Sequence, residues 1–207
     1  MRYRDSMRTE PQPERRSHGR SPFEVAWVEI DMAPGHLGLA MAPGRRESDS
    51  GRVLWERDLH GDLRRLRHVH RCDVLVSLLN DTELAEIGIG HLAEAVAVHG
   101  IEHHLLPVRD GSVPEPGQLA DVLALIDLLR EHLLAGRTLV LHCRAGRGRA
   151  GMLAAILVAS LWELPTDAIA RVRRAQPRAV ETVPQEHYVF DTAFAWFKHH
   201  VERTAGA

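Results

Sequence analysis

Hydrophobic positions fall into two kinds of segment that alternate along the chain. Residues 73–79 (DVLVSLL) and 138–142 (TLVLH) are short, nearly unbroken apolar runs, the pattern of parallel strands buried on both faces. Elsewhere apolar side chains recur three and four apart. Leu59, Leu63, Leu66 and Val69 do so within 56–70, and Leu119, Val122, Leu123, Ile126, Leu129 and Leu133 within 116–135. That spacing predicts helices with one buried stripe each. Asn80 stands where a helix cap is needed, with Glu83 three residues on in the capping-box position. The helix it starts is interrupted at Gly88 and Gly90, resumes through Val98 and ends at Gly100; Gly136 closes the 116–135 helix in the same way.

Segments 23–30 and 36–42, separated by Pro34-Gly35, read as a paired entry of two strands, 42–51 as a loop, and 102–108 as another strand. Further helices are expected over 148–162, 166–176 and 185–201. Strands alternating with helices predict an α/β fold, a mostly parallel central sheet flanked by helices. Residues 1–20 are rich in Arg, Pro and Ser and nearly free of aliphatic side chains, so they are expected to be a disordered tail, with 21–207 forming a single domain.

Composition adds mainly exclusions. A chain of 207 residues is long enough to bury roughly 70% of its extended surface without a disulfide or structural metal. Its two cysteines, Cys72 and Cys143, are too few for a disulfide framework or a zinc ribbon and imply a reducing, cytoplasmic setting. The longest apolar run, 152–161, is far short of the roughly 18 residues of a membrane span. Arg2, Arg4 and Arg8 precede no apolar stretch of a signal peptide. The formal charge of −2 is unevenly spread: residues 137–180 contain eight arginines against Glu163 and Asp167, a local +6 that suits an anionic ligand. Arg171, Arg173 and Arg174 are read as a solvated helix face.

The chemistry is concentrated in 139–151, LVLHCRAGRGRAG. A strand ends in a cysteine, and a glycine-containing loop then opens a helix. Glycines permit the backbone angles that turn successive N–H groups inward, and the first amides of a helix have no partner within it. Residues 144–149 can therefore cradle a phosphate-sized anion. A thiolate at the rim is stabilised by the same amides and by Arg149.

HCRAGRGRAG resembles the H-C-x5-R signature of the cysteine-dependent protein tyrosine and dual-specificity phosphatases. The resemblance implies a protein tyrosine phosphatase-like fold, with Cys143 as the nucleophile and Arg149 as a bidentate clamp on the phosphoryl oxygens. Arg144, Ala145, Gly146, Arg147 and Gly148 would form the phosphate-binding loop. Asp110, in LLPVRDGSVPEPG, matches the mobile-loop acid that protonates the leaving group. His142 would help to fix the loop. The likeness runs from about Phe23 to Phe197 and extends to the kinase-associated phosphatases, through HHLLPVRDGSVP, DVLVSLLNDTEL and AVETVPQEHYVF. The last segment resembles a loop whose glutamines position hydrolytic water; Gln185 matches the second of them, while Glu181 replaces the first. After the arginine most members carry Ser or Thr. Here the residue is Ala150, as in the phosphatases of regenerating liver, which implies slow release of the thiolate from the cysteinyl-phosphate.

The resemblance implies a phosphorylated protein as substrate, phosphotyrosine first and phosphoserine or phosphothreonine as further candidates, and no cofactor. A phosphate-dependent binding module and a rhodanese-like sulfurtransferase remain as alternatives. Nucleic-acid binding is not expected, because the basic loop is short and has no interleaved aromatic residues. Fourteen histidines invite a metal reading, but adjacent histidines, as in His103-His104 and His199-His200, point apart in strands and in helices, so no metal site is expected from them. Cys72 precedes its strand whereas Cys143 follows one, which separates them by about 20 Å across strands of this length and makes Cys72 structural. The oligomeric state is not legible.

Overall fold

The computed structural model describes residues 21–49 and 52–205; the expectation for 1–20 lies outside them. Strands β1 (Ala26–Val28) and β2 (His36–Ala40) open the chain, followed by β3 (Arg46–Asp49) and β4 (Arg52–Glu56). Then come α1 (Leu59–His68), β5 (Val74–Ser77), α2 (Asp81–Glu86), α3 (Leu92–Val98) and β6 (Glu102–Leu105). The chain continues through α4 (Leu119–Leu134), β7 (Thr138–His142), α5 (Gly148–Ala159), α6 (Pro165–Ala175) and α7 (Val183–Ala205).

The main sheet has the order β1-β2-β7-β5-β6, with β1 antiparallel on its edge and the other four strands parallel. β7 is central because all five of its residues are buried and both its edges are paired. Its side chains alternate between faces. Leu139 and Leu141 join a core built with α4, α5, α6 and α7, while Val140 joins a second core beneath α1 and α3. α5 is buried along its whole length, which accounts for its lack of charge after the first turn. Trp196, fully buried on α7, donates its indole N–H to Asp127 on α4 at 2.7 Å and so ties the last helix to the body.

The expected elements form with shifted ends. Asp58 caps α1, so the helix begins after Glu56, and Val69 at its end is 57% exposed rather than part of the stripe. Pro116–Gln118 make a 3-10 turn ahead of α4. The capping box of Asn80 and Glu83 is present. The segment expected as a loop over 42–51 instead contains β3, which pairs with β4 in a separate two-stranded hairpin. Its charged Arg-Glu-Ser-Asp sequence has no apolar alternation to announce a strand. Arg171 and Arg173 are not merely solvated either. Arg171 pairs with Glu163 and Asp31, and Arg173 donates to the carbonyls of Ala179 and Val180. No helix among the described residues is long and apolar enough to cross a membrane.

Candidate active site

Parallel strands deliver their carboxyl ends to one edge of the sheet, and the sequence-selected residues collect there. β7 ends at His142, paired in register with Ala40 of β2 and Ser77 of β5, and Cys143 follows, 4% exposed. The chain then turns sharply at Gly146, whose φ is +70°. A Cβ there would lie 2.4 Å from the carbonyl carbon and oxygen of Ala40, so only glycine fits. Arg147 precedes α5 without capping it through its side chain. Among the described residues, the amides of Arg144, Ala145, Gly146 and Arg147 donate to no protein acceptor. The next one does: Gly148 N–H donates to Oε2 of Glu181 at 3.0 Å. Arg144 contributes its backbone to the loop, while its guanidinium reaches Glu47 of the hairpin at 2.8 Å and Glu86 at 3.3 Å. It forms one wall of a cleft of about 570 Å³ with Glu47, Trp55 and Glu86 beside the loop.

Arg149, 1% exposed, is held from several sides. Its two terminal nitrogens donate to the two oxygens of Glu83, at 2.8 and 2.9 Å, and NH1 also reaches the carbonyls of Val108 (2.7 Å) and Leu78 (3.2 Å). NH2 meets Oδ1 of Asp110 at 2.8 Å. Burial favours loss of its proton, but Glu83, Cys143 and Asp110 together outweigh this and hold the guanidinium more firmly charged than usual. Only Nε–H, which is buried, has no partner. Asp110 itself is exposed, on the turn beside Gly111 that follows β6. The strand, the acid turn and α2 thus converge on one guanidinium.

His142 is fully buried. Its Nε2 lies 2.5 Å from Ser77 Oγ, which in turn lies 2.8 Å from Nε2 of His103. Burial, helped by the nearby His103 and by Arg149, pushes its pKa down to about 3. It is therefore neutral at physiological pH, suited to fixing the strand end through Ser77. Gln185, also fully buried, accepts from Glu181 N–H at 2.9 Å and donates to the carbonyl of Ser112 at 3.2 Å. It links the 181 segment to the Asp110 turn.

Cys72 lies before β5 and Cys143 after β7; both thiols are free. Burial raises the Cys72 thiol to about 12, and its Sγ donates to Val74 O at 3.3 Å, as expected of a structural cysteine. At the opposite end of the sheet from Cys143, Glu102, His104 and His132 approach one another. The expectation from adjacent histidines did not reach this trio, because Glu102 and His104 share a strand face two residues apart and His132 comes from α4. Arg137 donates to Glu102 there at 2.7 Å. Burial pushes the Glu102 carboxyl up, but His104, Arg137 and His132 outweigh it and bring it to about 2.

Two partners were not anticipated. Glu83 was expected only to cap α2, and its second role is invisible in a local pattern because Arg149 is 66 residues away. Ser77 reads simply as a polar interruption of an apolar strand. The signal was that interruption, a hydroxyl in a run otherwise made to be buried.

A family model described as polymorphic toxin system, DSP-PTPase phosphatase, matches residues 57–161. Cyclin-dependent kinase inhibitor 3 of Rattus norvegicus is 26% identical over 177 residues, covering 83% of this chain and 79% of the relative. The Homo sapiens protein of the same name is 25% identical over 177 residues with the same coverage. Kinase associated phosphatase, solved with serine in place of its catalytic-site cysteine, superposes with a TM-score of 0.75 at 22% identity, over 86% of this chain and 97% of that one. PTPMT1 in complex with PI(5)P gives a TM-score of 0.64 at 15% identity, over 82% and 96%. These two structures have the same mostly parallel sheet flanked by helices.

Proposed function

The chain belongs to the DSP-PTPase phosphatases and is a cysteine-dependent protein phosphatase, and on that premise we propose that it works through a cysteinyl-phosphate formed on Cys143. The Cys143 thiolate attacks phosphorus, the bond from phosphorus to the ester oxygen breaks, and Asp110 gives its proton to the departing oxygen. Asp110, now a carboxylate, takes a proton from water as that water attacks phosphorus. The S–P bond breaks, returning the thiolate and releasing inorganic phosphate. Amides of Arg144, Ala145, Gly146, Arg147 and Gly148 hold the phosphoryl oxygens, with Arg149 clamping two of them. His142 fixes the strand end from which Cys143 projects. Gln185 supports the acid turn.

The observation that carries this reading is the state of Arg149. Glu83 occupies its NH1 and NH2, Nε–H is a buried donor without a partner, and Asp110 sits on NH2. A phosphoryl group taking the Nε–NH2 edge satisfies Nε and displaces Asp110 from the guanidinium; released from the ion pair, the carboxylate takes up a proton from solvent and gives it to the leaving oxygen. Binding and proton delivery are thereby coupled through one side chain.

The substrate is a phosphorylated protein. The exposed position of Asp110 supports a shallow site open to phosphoserine and phosphothreonine as well as phosphotyrosine. Residues 21–207 act as one phosphatase domain, in the cytoplasm, without nucleic acid or membrane as partner. Steady-state hydrolysis of p-nitrophenyl phosphate and of phosphotyrosyl, phosphoseryl and phosphoinositide substrates tests the proposal. Turnover disappears in Cys143→Ser and falls about 10²- to 10⁴-fold in Asp110→Ala, the range for loss of a positioned acid. Activity that survives Cys143→Ser eliminates the mechanism, and a preference for the phosphoinositide eliminates the protein substrate.

A further inference from the structure

Glu181 brings a negative charge to a loop that otherwise collects anion-binding donors. Its carboxylate accepts the Gly148 N–H at the first turn of α5, at 3.0 Å. The contact is built rather than incidental. Val180, a β-branched residue, holds a left-handed φ of +56° immediately before it, a conformation that persists only when its surroundings impose it. Arg173 imposes it, with Nε on the carbonyl of Ala179 at 3.1 Å and NH2 on that of Val180 at 2.9 Å. On the other side, Gln185 accepts the Glu181 N–H. A Cβ on Gly148 would come within 2.6 Å of Glu181 Oε2, so the glycine is also what lets the carboxylate approach. Among the described residues Glu181 has no cationic partner; its charge is met by the amide end of α5.

A phosphoryl group entering the loop needs the Gly148 donor as well and carries charge of the same sign. We propose that Glu181 is an internal anion that competes with the phosphoryl group for the Gly148 amide of the phosphate loop, and by its charge lowers the loop's affinity for substrate and product alike. This rests on the loop being the phosphate site proposed above. On binding, the Gly148 amide passes from the carboxylate to a phosphoryl oxygen. On release it passes back, which speeds departure of inorganic phosphate.

Glu181→Gln isolates the charge, since its amide oxygen can still accept from Gly148 and the exposed side chain leaves the fold intact. Inorganic phosphate is titrated into the full-length wild type and into the variant by isothermal calorimetry, with p-nitrophenyl phosphate kinetics alongside. A like charge a few ångströms from a phosphate dianion in near-aqueous dielectric changes affinity by about tenfold. The variant therefore binds inorganic phosphate about three- to tenfold more tightly and shows a similar fall in KM. A helix-capping role alone predicts equal or weaker phosphate binding in the variant, and either result overturns the competition while leaving the phosphatase mechanism standing. A lower kcat with unchanged phosphate affinity does the same, and moves Glu181 to activation of water. Phosphate binding to neither protein removes the loop as a phosphate site and this inference with it.

Discussion

Replacing Glu83 with glutamine keeps its shape and one acceptor oxygen but removes the charge that faces a buried guanidinium. Both carboxylate oxygens accept from Arg149, at 2.8 and 2.9 Å, with side-chain exposures of 10% for Glu83 and 1% for Arg149. Breaking a buried ion pair by removing one partner costs about 3–5 kcal/mol. Two carbonyls and Asp110 still hold Arg149, and the glutamine oxygen keeps one bond, which leaves a loss of about 2–3 kcal/mol. For a chain of this size that lowers Tm by about 5–10 °C. The kinetic effect is separate. Misplacing a positioning group by an ångström costs about 10²-fold, and Glu83→Gln should lower kcat/KM for p-nitrophenyl phosphate by about that factor. A double-mutant cycle with Arg149→Met apportions the stability effect. Groups that act only on each other couple by more than about 1 kcal/mol, whereas independent ones add to within roughly 0.5. Additivity in urea unfolding, together with unchanged kcat/KM in Glu83→Gln, would refute the claim that Glu83 holds the clamp.

Other consequences follow from the same site. His142 stays neutral in the folded protein down to about pH 3, whereas the unfolded chain takes up that proton near pH 6.5. The unfolded state thus binds more protons between those values, and stability falls as pH drops, by about 2 kcal/mol from pH 7 to 5 through this residue. In His142→Gln the pH slope of the unfolding free energy over that interval flattens by about this amount; an unchanged slope contradicts the assignment. Gly146→Ala must place a Cβ against Ala40 at a φ of +70° and is expected to lower kcat/KM by at least about 10²-fold through a displaced loop. Near-normal kinetics would show that the loop tolerates the shift. Ala150→Ser supplies the hydroxyl next to the arginine and is expected to raise steady-state turnover by about tenfold, less than the roughly 10²- to 10⁴-fold of a positioned general acid or base, with a smaller pre-steady-state burst. Unchanged turnover places the slow step elsewhere.

Most of the fold was legible because β5 and β7 are buried on both faces and helices such as α4 keep an apolar stripe. The β5 and β7 runs, the α4 periodicity and the Asn80 cap depend on neighbours within a few residues, which sequence displays directly. The β3–β4 hairpin was not legible, since its first strand is charged and is stabilised by pairing and by contacts such as Arg144 with Glu47. In the site, Cys143, Gly146 and Arg149 lie on one contiguous loop that the sequence displays, and Asp110 was singled out by the resemblance of LLPVRDGSVPEPG to the phosphatase acid loop. Glu83, Ser77 and the contact of Glu181 with Gly148 arise where distant elements meet, and their residue types have sufficient local explanations. Glu83 shows this most clearly, as one side chain both caps α2 and anchors Arg149.

Whether phosphoryl transfer passes through Cys143 is most directly tested by rapid acid quench during p-nitrophenyl phosphate turnover, followed by peptide mass mapping. The account predicts a burst of p-nitrophenol approaching one equivalent per enzyme, and a phosphoryl group on the peptide containing Cys143 that is absent from Cys143→Ser. Steady turnover with neither a burst nor a modified peptide would contradict it.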